Sequence, residues 1–253
     1  MSKTVFITGA SSGIGEGLAA EFSRRGCHLV LAARRMDRLE QLAQRLRRTG
    51  AGRILPLSMD VTDFPSIGRG IDRAVSELGR IDVLIANAGV AYSLPAGSGD
   101  FEKLRTTIDT DLTGAIATIE LGLPHLRRQG GGQIVGITSV AGWRGMPTMG
   151  AYCAAKAGLH RYLQALKAEI RHEPIEVTEL APGYIDTDLN RDVPNRPFVI
   201  PLEKGAAIMA EMIEKKVGYR TVPVFPWALI APLLKVVPTA LLAPRRQKRG
   251  PGR

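Results

Sequence analysis

Cysteine is almost missing from this chain: Cys27 and Cys153 stand far apart, inside predicted elements, which excludes a disulfide framework and a cysteine-based metal site and fits a reducing compartment. The four histidines, His28, His125, His160 and His172, show no metal-ligand spacing, so no metal is expected. Aromatic residues make up only 5% of the sequence and no nucleic-acid module is recognisable, so nucleic acid is a disfavoured partner despite a net charge of +10. There is no internal repeat and no interdomain linker, and 253 residues at 45% hydrophobic content can bury one substantial core. Acid is absent from the last nine residues, where Arg245, Arg246, Lys248, Arg249 and Arg253 stand. Just before them, the 17 residues from Trp227 to Ala243 carry only Lys235 as a charge. That stretch is short for a membrane span and is interrupted by Pro232 and Pro238. Residues 227–253 thus form an apolar, then basic C-terminal extension to a domain spanning 1–226, with three readings: a lid over a cleft, a subunit contact, or a membrane-surface segment. Because the first predicted strand begins by Lys3, no cleaved leader is expected. The expected location is cytoplasmic, peripheral to the inner face of a membrane if the extension meets lipid.

Against these absences stands a regular alternation. Short apolar runs at Lys3–Thr8, Leu29–Ala33, Arg53–Met59, Ile81–Ala86, Gln133–Thr138, Ile175–Leu180 and Arg220–Phe225 read as seven strands. Helical stretches lie between them near 14–25, 36–48, 65–78, 101–128, 152–171 and 203–216. Strand, helix and strand repeated in this way require right-handed crossovers and a parallel sheet covered on both faces, so the fold class is α/β, doubly wound, in one domain. Asp63 is placed to cap the third helix ahead of Pro65, and Gly26 and Gly50 to end the first two. Pro223 removes a donor from the seventh strand, which puts that strand at the rim.

The turn Thr8-Gly9-Ala10-Ser11-Ser12-Gly13-Ile14-Gly15 follows the first strand and opens the first helix. Glycine there permits backbone conformations closed to other residues and lets a pyrophosphate approach the amides of a helix N-terminus. Gly9, Ser11, Ser12, Gly13, Ile14 and Gly15 are therefore candidate dinucleotide contacts, a tight structural turn being the plainer reading. About 20 residues further on, an acid would bind a ribose hydroxyl and an arginine a 2′-phosphate. The chain reads Ala32-Ala33-Arg34-Arg35 there, so NADP(H) is favoured, with NAD(H) as the alternative. Asp60 and Val61, ending the third strand, could meet the adenine, and Asn87-Ala88-Gly89 forms a further turn at the same carboxyl edge.

Tyr152 and Lys156 stand four apart on an alanine-rich helix, hence on one face. An ammonium beside a phenol lowers its pKa towards the working range, as general acid/base chemistry needs. Ser139, just past the fifth strand, brings a hydroxyl to the same edge and can hold a substrate oxygen. Taken singly, each is a packing or solvated residue; the ordered set is what carries meaning.

That set resembles the short-chain dehydrogenase/reductase family from Thr4 to about Phe225, on Thr8 to Gly15, Asp60, Asn87 to Gly89, Ser139, Tyr152, Lys156 and Pro182-Gly183-Tyr184-Ile185-Asp186-Thr187. The resemblance implies a Rossmann-type subunit of strand order 3-2-1-4-5-6-7 moving hydride between a nicotinamide and a carbonyl/alcohol pair. It implies Tyr152 as general acid/base, Lys156 binding the nicotinamide ribose and tuning the tyrosine, and Ser139 orienting substrate. Pro182, Gly183, Ile185 and Thr187 fall on the cofactor side, the last two against the carboxamide, and assembly is implied as a homodimer or homotetramer through the fourth and fifth helices. Asp111, in Thr110-Asp111-Leu112-Thr113-Gly114, stands where the family usually has a catalytic asparagine. This departure leaves room for a different function class, a non-catalytic dinucleotide-binding regulator or scaffold. The loop after Gly183, with Tyr92 to Gly99 and Trp143 to Pro147, is expected to wall the substrate cleft, and its composition favours a hydrophobic ketone or alcohol.

Overall fold

The computed structural model of the chain describes residues 2–50 and 52–242. Apolar runs build a seven-stranded sheet from β1 (Thr4–Thr8), β2 (His28–Ala33), β3 (Ile54–Ser58), β4 (Val83–Ala86), β5 (Gly132–Ile137), β6 (Ile175–Pro182) and β7 (Tyr219–Val222). The order is β3-β2-β1-β4-β5-β6-β7 and every pairing is parallel. In the centre, Phe6 lies in register with Val30 on one side and Leu84 on the other. A parallel sheet hides both faces, which is why β1 and β4 are buried at every position instead of alternating with polar residues.

The two-residue period divides this apolar content between two layers. Val5, Ile7, Leu29 and Leu31 point to one face, where α1 (Gly13–Arg24), α2 (Met36–Arg47) and α7 (Leu202–Glu214) deliver Leu18, Phe22, Leu39, Leu42 and Met209. Phe6, Val30 and Leu84 point to the other. There α3 (Phe64–Leu78), α5 (Gly114–Arg128) and α6 (Gly150–Glu169) bring Ile67, Ile71, Ile119, Leu123, Leu159 and Leu163. Two further helices complete the set, α4 (Phe101–Ile108) and, past β7, α8 (Trp227–Val236). The result is the doubly wound, Rossmann-type single domain expected from the sequence.

Several local expectations change. The run 101–128 is not one helix: Asp109–Thr113 forms a π-helical turn, with the Gly114 N–H donating to the Asp109 carbonyl five residues back. Asp63 occupies the N-cap of α3, with Pro65 in the first turn, but makes no capping bond; its carboxylate faces Arg69 at 3.6 Å. The seventh strand ends at Val222, so Pro223 lies beyond it, and the strand does sit at the rim. Past α8 a 3₁₀ turn covers Thr239–Leu242. Among the described residues no helix is long and apolar enough to cross a membrane. The basic cluster from Arg245 to Arg253 lies outside the described residues.

Candidate active site

The order of strands reverses direction between β1 and β4, and a crevice opens at the carboxyl ends there because their following helices leave to opposite faces. Thr8, the last residue of β1, closes the base of this crevice. Its hydroxyl accepts from the amides of Asn87 (2.9 Å) and Ala88 (3.1 Å), and its carbonyl accepts from the Asn87 amide side chain at 2.9 Å. Gly9 (φ +67°) and Gly13 (φ +57°) turn the chain through the left-handed region. At Gly15 a Cβ would lie 2.4 Å from the Gly9 carbonyl oxygen, so α1 starts directly under the turn. A cavity of about 460 Å³ runs from this turn along the sheet edge.

The expected cofactor contacts come together there: Gly9, Ser11, Ser12, Gly13, Ile14, Arg34, Arg35, Asp60, Val61, Asn87, Ala88 and Gly89 all line the cavity. Gly15 does not line it and serves the close contact between helix and turn. Arg35 folds over the glycine turn, donating to the hydroxyls of Ser11 at 2.9 Å and Ser12 at 2.7 Å. Arg34 approaches the Asp60 carboxylate only to 4.0 Å, and the other Asp60 oxygen holds the amide and hydroxyl of Thr62. A glycine cradle at a helix N-terminus with two guanidinium groups at its far end fits the pyrophosphate and ribose end of a dinucleotide.

At the other end four side chains meet. Lys156 is almost fully buried; its ammonium lies 3.2 Å from Asp111 Oδ2 and donates to the Ile137 carbonyl at 3.2 Å. Asp111 has no exposed surface, and its Oδ1 accepts from the Val90 amide at 2.7 Å. Burial opposes the Lys156 charge, yet the Asp111 carboxylate and the Tyr152 phenol hold its pKa above the ordinary lysine value. Tyr152 keeps its ring 5.7 Å from the ammonium. Burial raises the pKa of this phenol; Lys156 pulls it down, as the sequence leads one to expect, but Asp111 pushes it up again, and the value stays above that of an ordinary tyrosine. Ser139 caps the 3₁₀ turn Val140–Trp143 by accepting from the Ala141 amide at 3.1 Å, and Ser139, Tyr152, Lys156 and Asp111 all line the cavity.

Pro182, Gly183, Ile185 and Thr187 form the remaining wall, together with Leu189 and Asn190. Neither Tyr92 to Gly99 nor Trp143 to Pro147, expected as substrate walls, lines this cavity. The first of them reaches Thr148, just past the second, through Leu94 N to Thr148 O (2.8 Å) and the paired hydroxyls of Ser93 and Thr148 (2.7 Å). Val90 was missed although it follows the Asn-Ala-Gly turn directly; Asn190, in the loop after Gly183 that was expected as a wall, is placed by its bond to the Ile185 carbonyl at 2.8 Å. Trp227 was also missed. Its buried indole covers Gly183 so closely that a Cβ there would lie 2.1 Å from Nε1.

Comparison with known proteins agrees with this geometry. The short chain dehydrogenase family model matches residues 3–197. An uncharacterized oxidoreductase of Mycobacterium tuberculosis is 36% identical over 239 residues, covering 94% of each chain. The 11-beta-hydroxysteroid dehydrogenase 1A of Arabidopsis thaliana is 34% identical over 254 residues, covering 93% of this chain and 72% of its own. Among solved structures, an alcohol dehydrogenase of the archaeon Thermococcus sibiricus complexed with 5-hydroxy-NADP superposes with a TM-score of 0.79 at 28% identity, covering 87% of this chain and 95% of that one. Sheet order, glycine cradle and family match lead to one conclusion: the chain belongs to the short-chain dehydrogenase/reductase family and is a pyridine-nucleotide oxidoreductase acting on CH–OH groups.

Proposed function

We propose that the protein is an NADP(H)-dependent oxidoreductase for a hydrophobic carbonyl/secondary alcohol pair, with Tyr152 as its proton donor and acceptor. The carrying observation is the cluster in which the Lys156 ammonium, held between Asp111 and the Ile137 carbonyl, faces the Tyr152 ring at the end of a dinucleotide-shaped cavity. A nicotinamide held at this end by Lys156, Ile185 and Thr187 would supply the hydride chemistry, donating to a carbonyl carbon or accepting from an alcohol carbon. In reduction Ser139 holds the substrate oxygen and Tyr152 gives it a proton; in oxidation Tyr152 takes that proton back. Lys156 binds the nicotinamide ribose and stabilises the phenolate, and Asp111 is a positioning residue acting through Lys156. Arg34 and Arg35 support NADP(H) over NAD(H), since no carboxylate ends β2 to repel a 2′-phosphate. Val90 and Leu189 on the cavity wall support an apolar substrate, in keeping with a relative named for a hydroxysteroid. The exposed Phe101 of α4 and Leu121 of α5 support a homodimer or homotetramer through the helical stretches expected at 101–128 and 152–171, which are α4 with α5, and α6. Buried, unbridged Cys27 and Cys153 accord with a cytoplasmic setting.

The test is NADPH oxidation against a panel of hydrophobic ketones and aldehydes. Tyr152→Phe should lower the rate by on the order of 10²–10⁴-fold, the usual contribution of a positioned acid, and leave NADPH affinity intact. An undiminished rate would show that the proton travels elsewhere. Because Asp111 departs from the family pattern, a non-catalytic regulator is the second reading, and tight NADPH binding without turnover across the panel would favour it.

A further inference from the structure

α8 has two apolar faces where packing needs one. At 100° per residue, Trp227, Ile230 and Leu234 share the inner side. The indole is 5% exposed against Gly183, and the helix packs on β7 and the 3₁₀ turn that follows Ser139. Leu229, Leu233 and Val236, spaced four and then three apart, share the outer side and are 64%, 61% and 76% exposed. Phe225 just before the helix (74%) and Leu241 just after it (75%) are exposed as well. Single exposed apolar side chains are ordinary, but five within 17 residues mark a surface that meets something.

Charge identifies what it meets. Glu214 is the last acidic residue of the chain, so the 27 residues from Trp227 onwards carry no carboxylate side chain, while Arg245, Arg246, Lys248, Arg249 and Arg253 follow the apolar segment directly. Arg144 adds a cation at the same end, bound to the Thr239 hydroxyl at 3.0 Å. An anionic lipid surface complements this charge, whereas a second copy of the chain brings the same excess of cations. A helix of ten residues is about 15 Å long, half the hydrocarbon thickness, so it lies in an interface and does not cross it.

We propose that the outer row of α8, with Phe225 and Leu241, seats the protein on an anionic lipid surface, the basic residues beyond it meeting the headgroups. Because the inner side of the same helix covers Gly183, the rim of the cavity then faces the bilayer. The proposal stands whether or not the carbonyl substrate is the one inferred above.

The experiment is flotation of the full chain with vesicles of phosphatidylcholine alone or mixed with phosphatidylglycerol, at low and high salt. Binding is expected only to the mixed vesicles, weakening with salt. The exposed-face variant Leu229→Gln/Leu233→Gln should reduce partitioning on the order of ten-fold or more, with NADPH oxidation of a water-soluble carbonyl unchanged. Absence of flotation with the mixed vesicles at low salt would overturn the proposal. So would equal flotation of the variant, which would leave the cations as the whole attachment. Sedimentation showing that the variant splits an oligomer while vesicle binding persists would assign the row to a subunit contact and overturn it too.

Discussion

Replacing Asp111 by asparagine removes one charge from the centre of the site and keeps the shape. At 3.2 Å from the Lys156 nitrogen, with an effective dielectric of about 20, the carboxylate attracts the ammonium by about 5 kcal/mol. Removing one partner of such a buried pair costs about 3–5 kcal/mol in stability. The asparagine carbonyl can still accept from the Val90 amide, which puts Asp111→Asn at the lower end of that range. In a domain of this size each kcal/mol moves the melting midpoint by about 2–4 °C, so a fall on the order of 10 °C is expected. The functional effect has the opposite character. Asp111 raises the pKa of the Tyr152 phenol, so its removal lets that phenol ionise at lower pH. Alcohol oxidation needs the phenolate as proton acceptor, and its rate should rise at lower pH in the variant than in the parent. Carbonyl reduction needs the phenol as donor, and it should fail at lower pH. Initial rates in both directions across the pH range, with thermal melts, test this pairing. A lowered melting point with both pH profiles unmoved, or moved to higher pH, would refute the argument that the Asp111 carboxylate acts electrostatically on the Tyr152 phenol.

Two further outcomes bear on the cofactor end. A charged hydrogen bond to phosphate contributes about 1.5–3 kcal/mol, so Arg35→Ala should lower kcat/KM for NADPH by roughly 10–150-fold and leave NADH nearly untouched; equal losses with both cofactors would remove the arginine from 2′-phosphate recognition. Gly15→Ala would force a Cβ to within 2.4 Å of the Gly9 carbonyl oxygen and 2.7 Å of the Asn87 amide nitrogen, so NADPH binding measured by calorimetry should be lost, and parental affinity would show that the turn can give way.

The parts legible in the sequence are those whose cause is local. Runs such as TVFIT are buried at every position because parallel strands hide both faces, so composition alone marks them. The glycine turn is legible because positive φ at Gly9 and Gly13 needs that residue type. Tyr152 and Lys156 share one helix, and a four-residue spacing is enough to put them on one face. What stayed hidden depends on contacts between distant segments. Trp227 reaches Gly183 across more than forty residues, and nothing near either one announces it. The loops at 92–99 and 143–147 have the composition of a cleft wall, but the first bonds to Thr148, just beyond the second. The identity of Asp111 was plain in the sequence, whereas its full burial and its push on Tyr152 belong to the packed state.

The irregular turn between α4 and α5 has a consequence for phase. An α-helix closes a turn in 3.6 residues, and the π-helical segment Asp109–Thr113 takes up one residue more. That surplus swings everything before it by about 100° relative to everything after it. α4 therefore presents its side chains to α6, while α5 keeps its own alignment on α3 and β4. Deleting Thr113 alone would straighten the rod, rotate Thr107 out of its buried position and carry the Asp111 carboxylate away from Lys156. Such a protein would still encode every side chain named at the cleft and would have lost their alignment.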